Sequence, residues 1–206
     1  MTATRNCPNC GAAIEPGISR SKVVGCASCG STVMLADNAF LSPGECGEMH
    51  GGPTFLQLGV ETRIGNDDVL PLGVIRYSYG RGWWDEFWCR FREDDGVWVS
   101  IDEGDIVIER PLPEDEWPEV GDLSVGAEVT HKNRTYTVQE EEEAECLAFR
   151  GELPEAPVLG ERHRFQNLVG EGGKALSREV WDGGMAWHVG FWVDPFEVRV
   201  KSEGAA

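Results

Sequence analysis

The sequence predicts an all-β protein, with an N-terminal four-cysteine zinc ribbon followed by two small, related β-sheet or barrel-like units. Three observations carry that expectation. Two Cys-x-x-Cys pairs stand near the start, Cys7 and Cys10 in CPNCG and Cys26 and Cys29 in CASCG. Downstream, apolar and polar residues alternate with period two, the mark of half-buried strands. No segment keeps a helical period for long; Glu140 to Glu145 offers one short helical turn at most.

Residues 1–36 form the ribbon. Each Cys-x-x-Cys makes a knuckle whose two sulfurs face a common centre, and fifteen residues separate the inner cysteines. Gly11 and Gly30 follow the pairs, where the chain turns closely under the sulfurs. Four soft ligands in a tetrahedron suit one Zn²⁺, and a site filled by protein leaves no place for water, so the ion is structural. Thiol–disulfide chemistry would require one such pair at a helix start in a βαβ pattern, which is absent. An iron–sulfur centre is the remaining alternative. Cys46, Cys89 and Cys146 are left over and read as thiols.

Residues 37–53, rich in Gly, Pro and Ser, read as a linker that also holds Cys46 and His50. Residues 54–110 form the first β unit. In it, WWDEFWCRF and GVWVSID alternate on either side of REDDG and make a hairpin. Residues 111–121, with three prolines, read as a second linker. Residues 122–200 form the second unit, whose runs 175–181 and 185–193 flank Asp182-Gly183-Gly184. Residues 201–206 read as a frayed tail. LQLGVETRI (56–64) resembles LSVGAEVTH (123–131), and DIVIE (105–109) and FEVRV (196–200) close the two halves, so one β unit is duplicated.

Charge narrows the partners. The chain carries −18. Arg5, Arg20 and Lys22 against Glu15 leave the ribbon at +2, so the remainder carries −20. Four zinc-bound thiolates would bring the ribbon to about neutral. So acidic a body repels phosphate backbones, and nucleic acid is not the expected partner. No run of about 18 apolar residues is present to span a membrane, and the start has no signal-peptide core. A cytoplasmic protein is expected.

Familiar catalytic patterns fail. GEGGK (170–174) lacks the first glycine and the Ser or Thr of a phosphate loop. His50, His131, His163 and His188 form no paired metal motif, and no G-x-S-x-G is present. The carboxylate runs read as solvated surface. Glu86 stands apart, because it shares a strand face with Trp84 and Trp88, where an ion calls for a partner such as Arg90 or Arg92. That face, Trp84, Glu86, Trp88 and Arg90 with Trp98 on the next strand, is the candidate interaction face, opposite Phe87, Cys89 and Phe91. Its alternative is a packed face under the ribbon or the second unit.

WWDEFWCRF, GVWVSIDEGD, YTVQEEEEAECLAFRGELP and GFWVDPFEVRV resemble a bacterial family known as domain of unknown function 4178. The W-x-E strand falls on Trp84 and Glu86, the following strand on Trp98 and Ser100, and the G-E-L-P step on Gly151, Glu152, Leu153 and Pro154. The resemblance spans about residues 54–200 and implies an architecture with an N-terminal zinc ribbon; it brings no activity. The leading expectation is a non-enzymatic adaptor or scaffold acting through protein contacts. The alternatives are a nucleic-acid-associated ribbon protein and an enzyme using Glu86 or the Asp102 cluster. A concave pocket joining Glu86 to a second acid would favour the enzyme.

Overall fold

The computed structural model of the chain describes residues 5–36, 39–41, 46–51, 54–92 and 95–201. The described residues form sixteen strands and two short 3-10 turns, with no α-helix. The ribbon holds β1 (Arg5–Asn6) paired with β2 (Ala13–Ile14), and a sheet of β3 (Val23–Gly25), β4 (Thr32–Ala36) and β5 (Ala39–Leu41). The first half of the body contains β6 (Thr62–Ile64), β7 (Asp67–Ser78), β8 (Trp83–Arg92), β9 (Asp95–Asp102) and β10 (Asp105–Pro111). The second contains β11 (Glu128–His131), β12 (Arg134–Gly151), β13 (Arg162–Gly170), β14 (Lys174–Trp181), β15 (Gly184–Val193) and β16 (Val198–Val200).

The halves are not separate sheets. β7, β8, β9 and β10 form one antiparallel meander, and β12, β13, β14 and β15 form another. β10 pairs with β15, and β12 returns to β7 from Glu145↔Ser78 to Gly151↔Gly73. The ring of eight strands therefore closes, which removes exposed sheet edges. The short helical turn allowed at Glu140 to Glu145 does not form. These residues lie within β12, whose eighteen residues pair with β13 and then β7, so ladder hydrogen bonds outweigh local propensity.

Duplication is visible in the register. β7 bulges between Pro71 and Gly73, and β12 between Val138 and Glu140. From those bulges, the paired row Gly73, Trp88, Trp98, Glu109 matches the row Glu140, Asn167, Ser177, His188. The counterpart of β10 is thus β15. The FEVRV run is instead a 3-10 turn, Pro195–Glu197, and then β16, which pairs with β6.

Alternation sorts each strand into an inner and an outer face. On the first half, Phe87, Cys89, Val97, Val99, Ile106 and Ile108 point outward and are covered by Leu56, Ile64 and Val69. On the second, Val138, Leu168, Leu176 and Trp187 lie under Leu112, Leu123 and Val129. Residues 111–121 therefore belong to a core: the Leu112 amide donates to the Trp187 carbonyl, and the Trp117 indole donates to the Leu112 carbonyl. A third core plugs one end of the barrel, where Ile18 and Val23 of the ribbon meet Ile75, Trp88, Phe149 and Leu153. Gly96 makes room there, since a Cβ would lie 1.9 Å from the Trp88 ring.

The proposed linker 37–53 falls partly outside the described residues. Of its described residues, 39–41 are strand β5, which extends the ribbon sheet by pairing with β4, and 46–51 are strapped to the barrel. The Phe149 amide and the Arg150 guanidinium donate to the Cys46 carbonyl, and Arg76 donates to the carbonyl of His50. Arg76 is itself fixed by a buried two-pronged pair with Asp85, at 2.7 and 2.8 Å. The ribbon is docked rather than tethered. No helix among the described residues is long and apolar enough to cross a membrane.

A four-thiol centre and an acidic barrel cavity

The two knuckles repeat one geometry. The Cys7 amide donates to the Ala12 carbonyl and the Gly11 amide to the Cys7 carbonyl; Cys26, Ser31 and Gly30 do the same. Both closing glycines are left-handed, with φ of 76° and 74°, a region that penalises a Cβ. The four sulfurs all lie within 4.8 Å of one another. Cys7 and Cys29 are 3.8 Å apart and Cys10 and Cys26 are 3.6 Å apart. A tetrahedron with metal–sulfur bonds of about 2.3 Å has edges of about 3.8 Å. Cys7, Cys10, Cys26 and Cys29 could therefore hold one metal ion. Hydrogen bonding with the Ser31 side chain and backbone pulls the Cys29 thiol down to about 6, and, against the pull of a backbone hydrogen bond at Ala12, hydrogen bonding with Cys29 pushes Cys10 up to about 11.

The ribbon reaches the barrel through the G-E-L-P step. Gly151, at φ 77°, lets the chain pass the Leu72 carbonyl. The Glu152 carboxylate accepts from the amides of Gly17 and Ile18, at 2.7 and 2.8 Å, and from the Ser21 hydroxyl. Leu153 exchanges backbone hydrogen bonds with Val23. The G-E-L-P step stood out by resemblance; Gly151, Glu152 and Leu153 of it dock the ribbon.

The tryptophan face turns inward. Trp88 is 1 % exposed and stacks at 5.0 Å from Trp98, its direct strand partner, with Arg20 of the ribbon over its ring. Trp84 is also buried, packed against Phe165 and Tyr77. Trp84 and Trp88 are thus buried, and Trp98 is half-buried against Trp88, so the three do not form an open docking face. Arg90 is half-buried opposite Gly96 near the strand end. Neither Arg90 nor Arg92 pairs with Glu86, which instead accepts from the Trp84 indole at 2.9 Å and the Ser100 hydroxyl at 3.3 Å.

Beyond Trp88 the barrel encloses a cavity of about 420 Å³. Its wall includes Trp84, Phe165 and Trp192, the hydroxyls of Ser100 and Ser177, and the carboxyls of Glu86, Glu109 and Glu179. Arg81, Glu103 and Asp105 are exposed at its mouth, and Tyr79 donates to Asp102 there. Arg81 is engaged by Glu142 and Glu140. No Lys or Arg among the described residues pairs with Glu86, Glu109 or Glu179. All three are half-buried and line the cavity. Burial, followed by repulsion from Glu179, pushes Glu86 up to about 8. Burial and Glu109 push Glu179 up to about 7, and burial raises Glu109 too.

Sequence reasoning singled out Glu86 but missed Glu109, Glu179 and Ser177. Alternation places Glu109 opposite Ile106 and Ile108, a signal of an inward carboxyl. Only ring closure brings it to Glu86.

A family model described as "Domain of unknown function (DUF4178)" matches residues 63–195, the whole barrel from β7 to β15. No curated protein and no solved structure matches the chain.

Proposed function

Since the chain belongs to the DUF4178 family, whose description carries no activity, we propose its function from the geometry: a non-enzymatic, zinc-stabilised binding module that receives a cationic group in its barrel. One observation carries this reading. Three half-buried carboxyls, Glu86, Glu109 and Glu179, line one cavity with no Lys or Arg paired to them among the described residues. Buried carboxylates without counter-charge are unfavourable, and a bound cation offsets that cost. Trp84, Phe165 and Trp192 supply aromatic surface that suits an ammonium or guanidinium group.

In this reading Cys7, Cys10, Cys26 and Cys29 hold one structural Zn²⁺, and the ribbon closes the far end of the barrel. The cation is carried by a protein partner, as a Lys or Arg side chain. A chain of −18 attracts a basic partner over distance and disfavours nucleic acid. A cytoplasmic location agrees with four unoxidised metal-type cysteines.

Titration of the zinc-loaded chain with butylamine and with a lysine-containing peptide tests this, using calorimetry and tryptophan fluorescence. Binding should strengthen from pH 6 to pH 8.5 as the carboxyls ionise, and Glu86→Gln with Glu179→Gln should weaken it at least tenfold. Absence of saturable amine binding at pH 8.5 refutes the reading. A second reading, proton-transfer catalysis, is favoured by Glu86 and Glu179 being poised at about 8 and about 7. It requires a cavity ligand bound best with one carboxyl protonated and the other ionised, between about pH 7 and pH 8.

A further inference from the structure

We infer that a second pocket, on the outer face of the barrel, binds a phosphate group. It lies between the β11–β12 turn and strands β10, β14 and β15, with a volume of about 310 Å³. Arg110, His131, Lys132, Arg134 and Lys174 line it, beside Phe191. The chain has twice as many acidic as basic residues, 36 against 18. Five basic side chains nevertheless converge here, and no carboxylate is among the lining residues described.

The backbone builds the convergence. Lys132 and Asn133 take left-handed φ values of 47° and 62°, the signature of a tight two-residue hairpin turn. That turn brings His131, Lys132 and Arg134 together beside Lys174. Arg110 is engaged by Asp95 at 3.0 Å and Lys132 by Glu116. Arg134 and Lys174 make no ion pair among the described residues; Lys174 rests over the Phe191 ring at 5.4 Å.

His131 supplies the independent observation. It is 7 % exposed, it lines this pocket, and its Nε2 has no hydrogen-bond partner. A buried nitrogen left open in this way is unusual unless a ligand or water completes it. The lining side-chain groups are mainly donors: guanidinium forks, ammonium groups and an imidazole. A phosphate presents acceptors in a geometry that guanidinium groups match two at a time. The charge of −18 around the site opposes a polyanion, which restricts the ligand to a small phosphate or phosphomonoester. Nothing in this inference depends on the interior cavity.

Calorimetric titration of the full chain at constant ionic strength tests it, with inorganic phosphate, phenyl phosphate and chloride as probes. Phosphate groups should bind saturably at one site, at least tenfold tighter than chloride. The double change of exposed Arg134→Gln and half-buried Lys174→Gln should weaken that binding at least tenfold with an unchanged melting temperature. The His131 ring-nitrogen resonance of the unsubstituted protein should shift on saturation. Tighter binding of phenyl phosphate supports an organic phosphomonoester seated against Phe191; tighter binding of inorganic phosphate supports the free ion. No saturable binding, binding indifferent to the double change, or a silent His131 resonance overturns the site.

Discussion

Removing the Glu152 carboxylate tests how the ribbon is held. Glu152 is 8 % exposed and is the acceptor for two ribbon amides and one hydroxyl. Hydrogen bonds to a charged group contribute about 1.5–3 kcal/mol each, and they do not add fully because one carboxylate serves all three. Glu152→Ala leaves the Gly17 and Ile18 amides buried without an acceptor, at a cost of about 3–5 kcal/mol. Glu152→Gln keeps one acceptor oxygen and should cost about half as much. Urea unfolding followed by circular dichroism measures the loss. Amide exchange at Gly17 and Ile18 reports the docking itself, since these amides should lose protection before the barrel does. A cost for Glu152→Ala below about 1 kcal/mol, with Gly17 and Ile18 still protected, would refute the anchoring role.

Three further outcomes follow from the same contacts. Trp88→Ala should cost about 3–5 kcal/mol in chemical unfolding, as expected of a fully buried aromatic residue; a shift of a few tenths would mean it is not core. Elemental analysis should find about one zinc per chain, and chelation should lower the melting temperature of the barrel as well as the ribbon, because Ile18 and Val23 pack on Trp88; an unchanged barrel melt would mean independent modules. Glu86 is raised from 4.5 to about 8, so the unfolded chain binds fewer protons between those values and stability falls as pH rises through that window. The melting temperature should therefore drop from pH 6 to pH 8.5, and Glu86→Gln should flatten that drop; an equal slope in both proteins would place the cause elsewhere.

Much of this molecule was legible in its residues. The clustering of Cys7, Cys10, Cys26 and Cys29 follows from the spacing of two Cys-x-x-Cys knuckles, and the glycines after them are left-handed as the turns demand. Period-two alternation found β8 and β9 and put Trp98 on the face of Trp88; the pairing that sets Trp88 against Trp98 came with the fold. The duplication signalled by 56–64 and 123–131 reappears in matching bulges in β7 and β12. Such features are local: they depend on the period of a strand, the reach of a knuckle or the φ of one glycine, and a short stretch of sequence encodes each.

What a short stretch cannot encode is which face meets which. Alternation separates Trp84, Glu86 and Trp88 from Phe87 and Cys89, but both faces are apolar enough to be buried. The closure of β12 on β7 and of β10 on β15 decided that the tryptophans turn inward. The same closure gathered Glu86, Glu109 and Glu179, drawn from β8, β10 and β14, around one cavity. It also left the G-E-L-P step where Glu152 could seize the ribbon. The sequence by itself determined most of the strands and the cluster of four cysteines that could hold a metal ion. The tertiary structure decided the cavity, the docking and the basic pocket, because each depends on long-range pairing between residues that share no local pattern.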